Sequence, residues 1–306
     1  KKNKNFVIPQ SRFNEIIEFT KRELQDFSIS RLKEKMPWGV PVLNDDKHIM
    51  YVWTDALVSY ISTLNWPKDT KKFKDFWPGT QVAGKDNLRQ QSSIWQAMLM
   101  SAGLPNSKQI FIHGFITSNG QKMSKSLGNV INPFELVEKY GRDAVRYYLL
   151  SEISSTEDGD FSYDKFEKRY NADLAGGIGN LLSRTIAMAK KDNFKKEKPS
   201  SKIKKEVVKT QKSCQKYLED FKFNEALKSI WELISFCNKY INEEKPWEGN
   251  DNSSKVIFDI IYALLEISTL LSPFLPETAE KIKKVLEVRK SEVLFPRLTL
   301  HPKTNI

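Results

Sequence analysis

Two lysines and two serines fall within five residues at Lys122-Met123-Ser124-Lys125-Ser126, with Gly120 ahead of them and Gly128 behind. Glycine admits backbone angles closed to other residues, and small side chains pack weakly, so this composition predicts a mobile loop. Closed over a triphosphate, the loop offers two ammonium groups and two hydroxyls. Those donors suit the charge on a pentavalent phosphorus and on a pyrophosphate leaving group. Lys122, Lys125 and Ser126 are therefore the candidate catalytic residues. An isolated Lys/Ser loop is ordinarily an exposed turn; here His113-Gly114 lies upstream and Leu127-Gly128-Asn129 continues the run.

Such a loop needs a sheet behind it. Up to about residue 116, β-rich runs at His48–Trp53, Thr80–Ala83 and Gln109–His113 alternate with helical patterns at Thr54–Leu64 and Asp86–Ala102. Strands alternating with helices read as βαβ units on a parallel sheet. A further helix is predicted from Arg12 to Asp26, with Phe13, Ile16, Ile17 and Thr20 on one side. After Asn132-Pro133 the pattern predicts no more strands. Phe223, Ala226, Leu227, Ile230, Leu233, Ile234, Cys237 and Ile241 recur at spacings of three and four, as on an amphipathic helix. Tyr163–Lys191, Lys202–Asp220, Lys255–Leu271 and Pro276–Val288 behave alike, which predicts an antiparallel helical bundle.

The 306 residues suggest two or three domains, and 40% hydrophobic residues suffice for sizeable cores. The longest apolar run, Val256–Leu271, contains Asp259 and Glu266 and is too short to span a bilayer. No secretory signal opens these residues, and a soluble, cytoplasmic protein with no membrane partner is expected. Cys214 and Cys237 are isolated, so this segment is expected to bind no zinc and to carry no disulfide framework. The net charge is +11, and ten lysines lie between Lys190 and Lys212 against Asp192, Glu197 and Glu206. That run is either a solvated linker and helix face or a contact for a polyanion.

The loop resembles the KMSKS signature of the class I aminoacyl-tRNA synthetases, which activate an amino acid with ATP and pass it to the tRNA 3′ end. Further segments resemble the methionine-activating branch in that branch's order: Asp26–Arg31 with Trp38–Val42, Tyr51–Leu57 with Tyr60, Gly84-Lys85-Asp86, Trp95, Asp158–Ser162, Gly179–Arg184, and Lys245-Pro246-Trp247. The resemblance runs from about Asp26 to Leu298. It implies an α/β plus all-α fold: the C-terminal half of a Rossmann-type catalytic domain, then an α-helical anticodon-binding bundle. The implied divisions are 1–36 as the end of a connective insertion, 37–165 as the catalytic part with the loop and a stem-contact region, and 166–306 as the anticodon-binding domain. The implied function is ATP-dependent activation of L-methionine to methionyl-adenylate and its transfer to tRNA(Met), including the initiator tRNA, with ATP used as its Mg2+ complex.

By the same resemblance, Trp53, Ala56, Leu57, Tyr60, Asn87, Gln91 and Trp95 line a methionine site. The residues agree, since a polarizable thioether gains from aromatic neighbours, although each aromatic could equally be core. Asn87, Gln91 and Trp95 are spaced by four, as on one helix face. Gln90-Gln91 replaces the Phe-His of many members, and Asn87 an aliphatic residue. Gly84, Asp86, His113, Ile116 and Lys125 are implied ATP contacts, with Asp86 also a candidate helix N-cap. Asn180, Arg184 and Trp247 are implied to read the anticodon. Alternatively, Arg184 forms a surface ion pair and Trp247 caps the bundle.

The His-Ile-Gly-His signature of the class does not occur here, and residue 1 is Lys. The expectation is a C-terminal fragment, inactive alone, of an enzyme. The alternatives are a Leu, Val or Ile enzyme of the same class, or a catalytically silent tRNA-binding protein.

Overall fold

Ile110 and Ile112, on the central strand of a parallel sheet, are wholly buried, and the first part of the chain is built around them. The computed structural model describes residues 3–190, 198–290 and 292–299, and its two compact units meet in sequence at Phe115/Ile116. The first unit contains β1 (Val7–Ile8), α1 (Gln10–Arg22), β2 (Ser30–Leu32), β3 (Pro41–Val42), β4 (Asp45–Met50), α2 (Val52–Ser62), α3 (Thr70–Phe76), β5 (Thr80–Gly84), α4 (Trp95–Ser101) and β6 (Gln109–His113). The parallel sheet has the order β1-β6-β5. Val7 pairs with Ile110 and Gly84 with His113. Phe13, Ile16 and Phe19 of α1 pack on its apolar face.

Three features depart from expectation. The predicted run His48–Trp53 is not a strand of the parallel sheet: β4 pairs antiparallel with β2 and β3 in a separate sheet, and Trp53 lies in α2. β1 has only two residues, too few to show a period. The helix predicted at Asp86–Ala102 is three segments: a 3-10 turn at Lys85–Asn87, a π-helical stretch at Gln90–Ile94, and α4. Asn87, Gln91 and Trp95 therefore do not share one regular α-helical face. The N-cap of the 3-10 turn is Gly84, with Asp86 inside its first turn, so Asp86 does not cap the helix.

The second unit begins with β7 (Ile116–Ser118) and β8 (Gln121–Lys122), then α5 (Pro133–Tyr140), α6 (Arg142–Ser151) and β9 (Gly159–Phe161). β9 contradicts the expectation that strands stop at Asn132-Pro133: it pairs parallel with β7, which pairs antiparallel with β8. With three residues it shows no alternation that could be read. Proline at the first helical position and Asn132, whose side chain accepts the Phe134 N–H, start α5.

The helices that follow are α7 (Tyr163–Arg169), a π-helical stretch Tyr170–Gly179, α8 (Asn180–Ala189), α9 (Ser201–Glu219), α10 (Phe223–Glu244), α11 (Ser253–Leu271) and α12 (Pro276–Val288). Their apolar faces join in one core that includes Leu174, Ile178, Ile230, Ile234, Ile260 and Ile282, each wholly buried. Among the described residues no helix is long and apolar enough to cross a membrane.

Candidate functional site

The loop at residues 120–129 is held by its own polar groups. Asn119 and Gly120 both have positive φ, 51° and 76°, as a two-residue hairpin turn between β7 and β8 requires. The Asp160 carboxylate, on β9, accepts the Gly120 N–H at 2.6 Å and the Thr117 hydroxyl at 2.8 Å. Beyond β8, the Ser124 side chain accepts the Leu127 N–H and caps a 3-10 turn at Lys125–Leu127. The Ser124 and Ser126 hydroxyls lie 2.9 Å apart. Asn129 closes the loop: its side chain accepts the Ser124 N–H at 2.9 Å and donates to the Lys122 carbonyl at 3.1 Å. Gly128, in the left-handed region at φ 64°, lets the chain turn there. Lys122 and Lys125 are exposed on this frame. Asp160 and Asn129, the loop's supports, are not among the residues predicted for the site. For Asn129 the signal was its place in the Leu-Gly-Asn run.

In the first unit, the C-terminal ends of β5 and β6 bring Gly84, Asp86 and His113 together. A Cβ on Gly84 would stand 2.8 Å from Asp86 Oδ1 and 3.6 Å from His113 Cε1, so a carboxylate and an imidazole close over one glycine. His113 Nδ1 lies 2.8 Å from the Gly114 carbonyl, which can only accept. That contact requires a hydrogen on Nδ1, which donates to the carbonyl. Strand ends of a parallel sheet are where such folds hold ligands. Ile116 is exposed at the start of β7, in the second unit.

The aromatic residues proposed for methionine cluster. Leu57 and Trp95, 1% exposed each, form a core with Ile61, Phe73, Trp77 and Leu99, and half-buried Trp53 and Tyr60 pack against it. The Tyr60 and Trp95 rings are 6.0 Å apart. Gln91, 3% exposed, donates from Nε2 to the Tyr60 hydroxyl at 2.9 Å. Its Oε1 is buried without a hydrogen-bond partner, as is Trp95 Nε1. Five predicted residues are thus brought together. Ala56, on the same helix, is exposed, and Asn87 sits half-buried in the 3-10 turn.

Beside them, Gln96 accepts the Ser107 N–H and donates to the Ser107 hydroxyl, which donates to Gln81 on β5. This buried network ties α4 to the strand that ends at Gly84.

In the helical unit, Asn180 and Arg184 lie one turn apart on α8. Arg184 donates from Nη2 to Asn242 Oδ1 of α10 at 2.8 Å, and its guanidinium carbon is 5.8 Å from the Trp247 ring centre. Trp247 is 53% exposed. Lys245, in the left-handed region, and buried Pro246 turn the chain so that the indole stands out. Beneath it is a hollow of about 340 Å³, lined by Met188, Ser253 and Ile257 among others. Arg184 pairs with an amide rather than a carboxylate, which leaves its positive charge uncompensated at this contact. Asn242 was missed, since one asparagine on a polar helix face carries no signal. Among the described residues no group of three His, Cys, Asp or Glu could hold a metal. Residues 191–197 of the lysine-rich run lie outside the described residues.

Residues 1–186 match the family model "tRNA synthetases class I (M)", and residues 200–301 match "Anticodon-binding domain of tRNA ligase". The chain is 42% identical to the methionine--tRNA ligase of Fusobacterium nucleatum over 302 residues, 94% of this chain and 47% of the relative. It is 40% identical to that of Thermotoga maritima, over 91% of this chain and 46% of the relative. The chain thus spans about half the length of these curated relatives. Mycobacterium tuberculosis methionyl-tRNA synthetase, solved in complex with methionyl-adenylate, superposes with a TM-score of 0.87 at 33% identity. That match covers 92% of this chain and 58% of the solved one. The first of these family models covers more than half of the chain, and the chain belongs to the class I tRNA synthetases of the methionine type.

Proposed function

We propose that this chain, as part of a longer enzyme, serves to activate L-methionine with ATP and to charge tRNA(Met), including the initiator tRNA, in the cytoplasm. The methionine carboxylate oxygen bonds to the α-phosphorus and pyrophosphate leaves. The 3′-terminal ribose hydroxyl of the tRNA then bonds to the carbonyl carbon, and AMP leaves. ATP arrives as its Mg2+ complex, the ion carried by phosphate oxygens. Lys122 and Lys125 stabilise the charge that grows on the phosphates, and Ser126 donates to it. Asp86 and His113, with Gly84 clear of a side chain between them, serve the nucleoside, as does Ile116. Trp53, Ala56, Leu57, Tyr60, Asn87, Gln91 and Trp95 hold methionine, with Gln91 orienting the Tyr60 hydroxyl.

In this reading residues 1–36 end a connective insertion, 37–165 belong to the catalytic part, and 166–306 read the anticodon through Asn180, Arg184 and Trp247. The observation that carries the reading is the loop itself: exposed Lys122 on the hairpin and exposed Lys125 in the turn after it, with the backbone tied down by Asp160 and Asn129. The test is amino-acid-dependent pyrophosphate exchange by the intact enzyme. Exchange with methionine and not with leucine, valine or isoleucine is expected, and exchange with one of those three instead would overturn it. A second arm measures anticodon binding: Trp247→Ala should erase preference for a CAU anticodon, and preserved preference would make the indole a structural cap.

A further inference from the structure

From Lys198 to Lys216 there are seven lysines against Glu206 alone. Four of them, Lys205, Lys209, Lys212 and Lys216, are spaced by four, three and four, so they line one face of α9 over about 16 Å at 1.5 Å rise per residue. All four are exposed, while Ile203, Val207, Thr210 and Cys214 bury the opposite face. Lys209 is 3.2 Å from Glu206, an exposed pair of small energetic weight. A row of like charges at these spacings is self-repelling, so it is relieved by an anion laid along it.

The position of α9 indicates which anion. Its N-terminus is pinned to the end of the bundle that carries Trp247. Wholly buried Asp259, on α11, accepts the Ser200 N–H at 2.8 Å and the Tyr240 hydroxyl at 3.1 Å. Lys202 Nζ lies 4.8 Å from the Tyr240 ring centre and 3.7 Å from Glu243, both in the last turns of α10. α10 runs on into Lys245-Pro246-Trp247, and the first turns of α11 line the hollow beneath the indole. The lysine row therefore leads away from the indole and its hollow along the side of the same bundle.

We infer that this row is an RNA-backbone contact: it binds successive phosphates of the strand whose unstacked bases reach the Trp247 end, and it reads no sequence. The inference rests on the proposal that the bundle binds tRNA. Backbone contacts by lysine release counterions and position the RNA, while base contacts specify. Asp259 sets where the row begins, as a positioning residue away from the RNA.

The test uses the full 306-residue chain with Lys205, Lys209, Lys212 and Lys216 all changed to Gln, which keeps helix propensity and removes charge. Affinity for tRNA(Met) is measured between about 50 and 200 mM salt, with a changed-anticodon tRNA and polyglutamate alongside. The salt slope should fall by about 3, at roughly 0.7–0.9 for each phosphate no longer neutralised. Both tRNAs should weaken alike, and the four Lys→Arg changes should retain the original slope. Helical circular dichroism should be unaltered. A slope equal to that of the unmodified chain would overturn the inference, as would loss of polyglutamate binding with the tRNA slope intact, which would mark an acidic-protein contact. If the slope responds but the unmodified chain shows no anticodon preference, the phosphate row stands and the tRNA(Met) reading fails.

Discussion

The carboxylate of Asp160 receives the backbone N–H of Gly120 at 2.6 Å, across forty residues of sequence. It thereby holds the hairpin tip from which the lysine loop extends. That hydrogen bond comes first in drawing the Asp160 carboxyl below the ordinary carboxylate range; partial burial opposes it, and Thr117 and Lys165 add to it. A folded pKa below the unfolded one stabilises the fold at pH above the unfolded value, and the contribution is lost as pH falls through the folded value. The Gly120 amide resonance should therefore shift with a midpoint below that of an ordinary carboxylate, and Asp160→Asn should abolish that titration. A midpoint at or above the ordinary carboxylate value would show that the bond does not favour the charged form.

Lys125→Ala in the intact enzyme should lower kcat for methionine activation by on the order of 10²-fold or more. In the proposed reaction the ammonium acts on charge that appears mainly in the transition state, so the KM for methionine should change little. A raised KM with kcat intact would place Lys125 outside the phosphate chemistry.

Gln91 supplies the hydrogen that orients the Tyr60 hydroxyl, so Gln91→His should be tolerated and Gln91→Leu should raise the KM for methionine. Trp53→Ala should raise it by the equivalent of about 1–3 kcal/mol if the indole covers the thioether as proposed. Equal losses for ATP and methionine would instead indicate collapse of the core around Trp95.

Cys237 is wholly buried, and desolvation, with the Asp259 charge nearby, pushes its thiol up to about 12. Cys214 is 1% exposed and is raised by burial as well. Neither should react with a thiol reagent at about pH 8 in the native chain, since the thiolate is the nucleophile. Both should react on unfolding in denaturant. Rapid native labelling of Cys237 would show that the core between α10 and α11 opens readily.

The parts of this molecule that could be read from residues alone are those with long periods or dense chemistry. α9 to α12 each run for thirteen residues or more, enough for three- and four-residue spacings to repeat. The lysine loop stands out because two charges and two hydroxyls share five positions. Short elements are not legible: β1 and β9 are made by pairing with distant strands, and two or three residues hold no pattern. The β propensity of Tyr51-Val52-Trp53 points to a strand, yet the packing of Leu57 and Ile61 on Trp95 makes Trp53 helical, a tertiary override of a weak local preference. Asp160 acts through hydrogen bonds to partners forty and forty-three residues away, and Asn242 through one to a partner fifty-eight residues away. No local spacing announces such a bond.

The π-helical stretch Tyr170–Gly179 feeds directly into α8. Hydrogen bonds that reach one residue further than in an α-helix take up surplus residues without lengthening the rod in proportion. The direction in which Asn180 and Arg184 leave the helix is therefore a matter of counting. The stretch can therefore lose a surplus residue and close into α-helical bonding, whereas losing one residue of α8 between Asn180 and Arg184 would rotate the Arg184 side chain by about 100°, away from Asn242 and Trp247. Within α8 chain length itself is the determinant, and a deletion there would be more damaging than most substitutions.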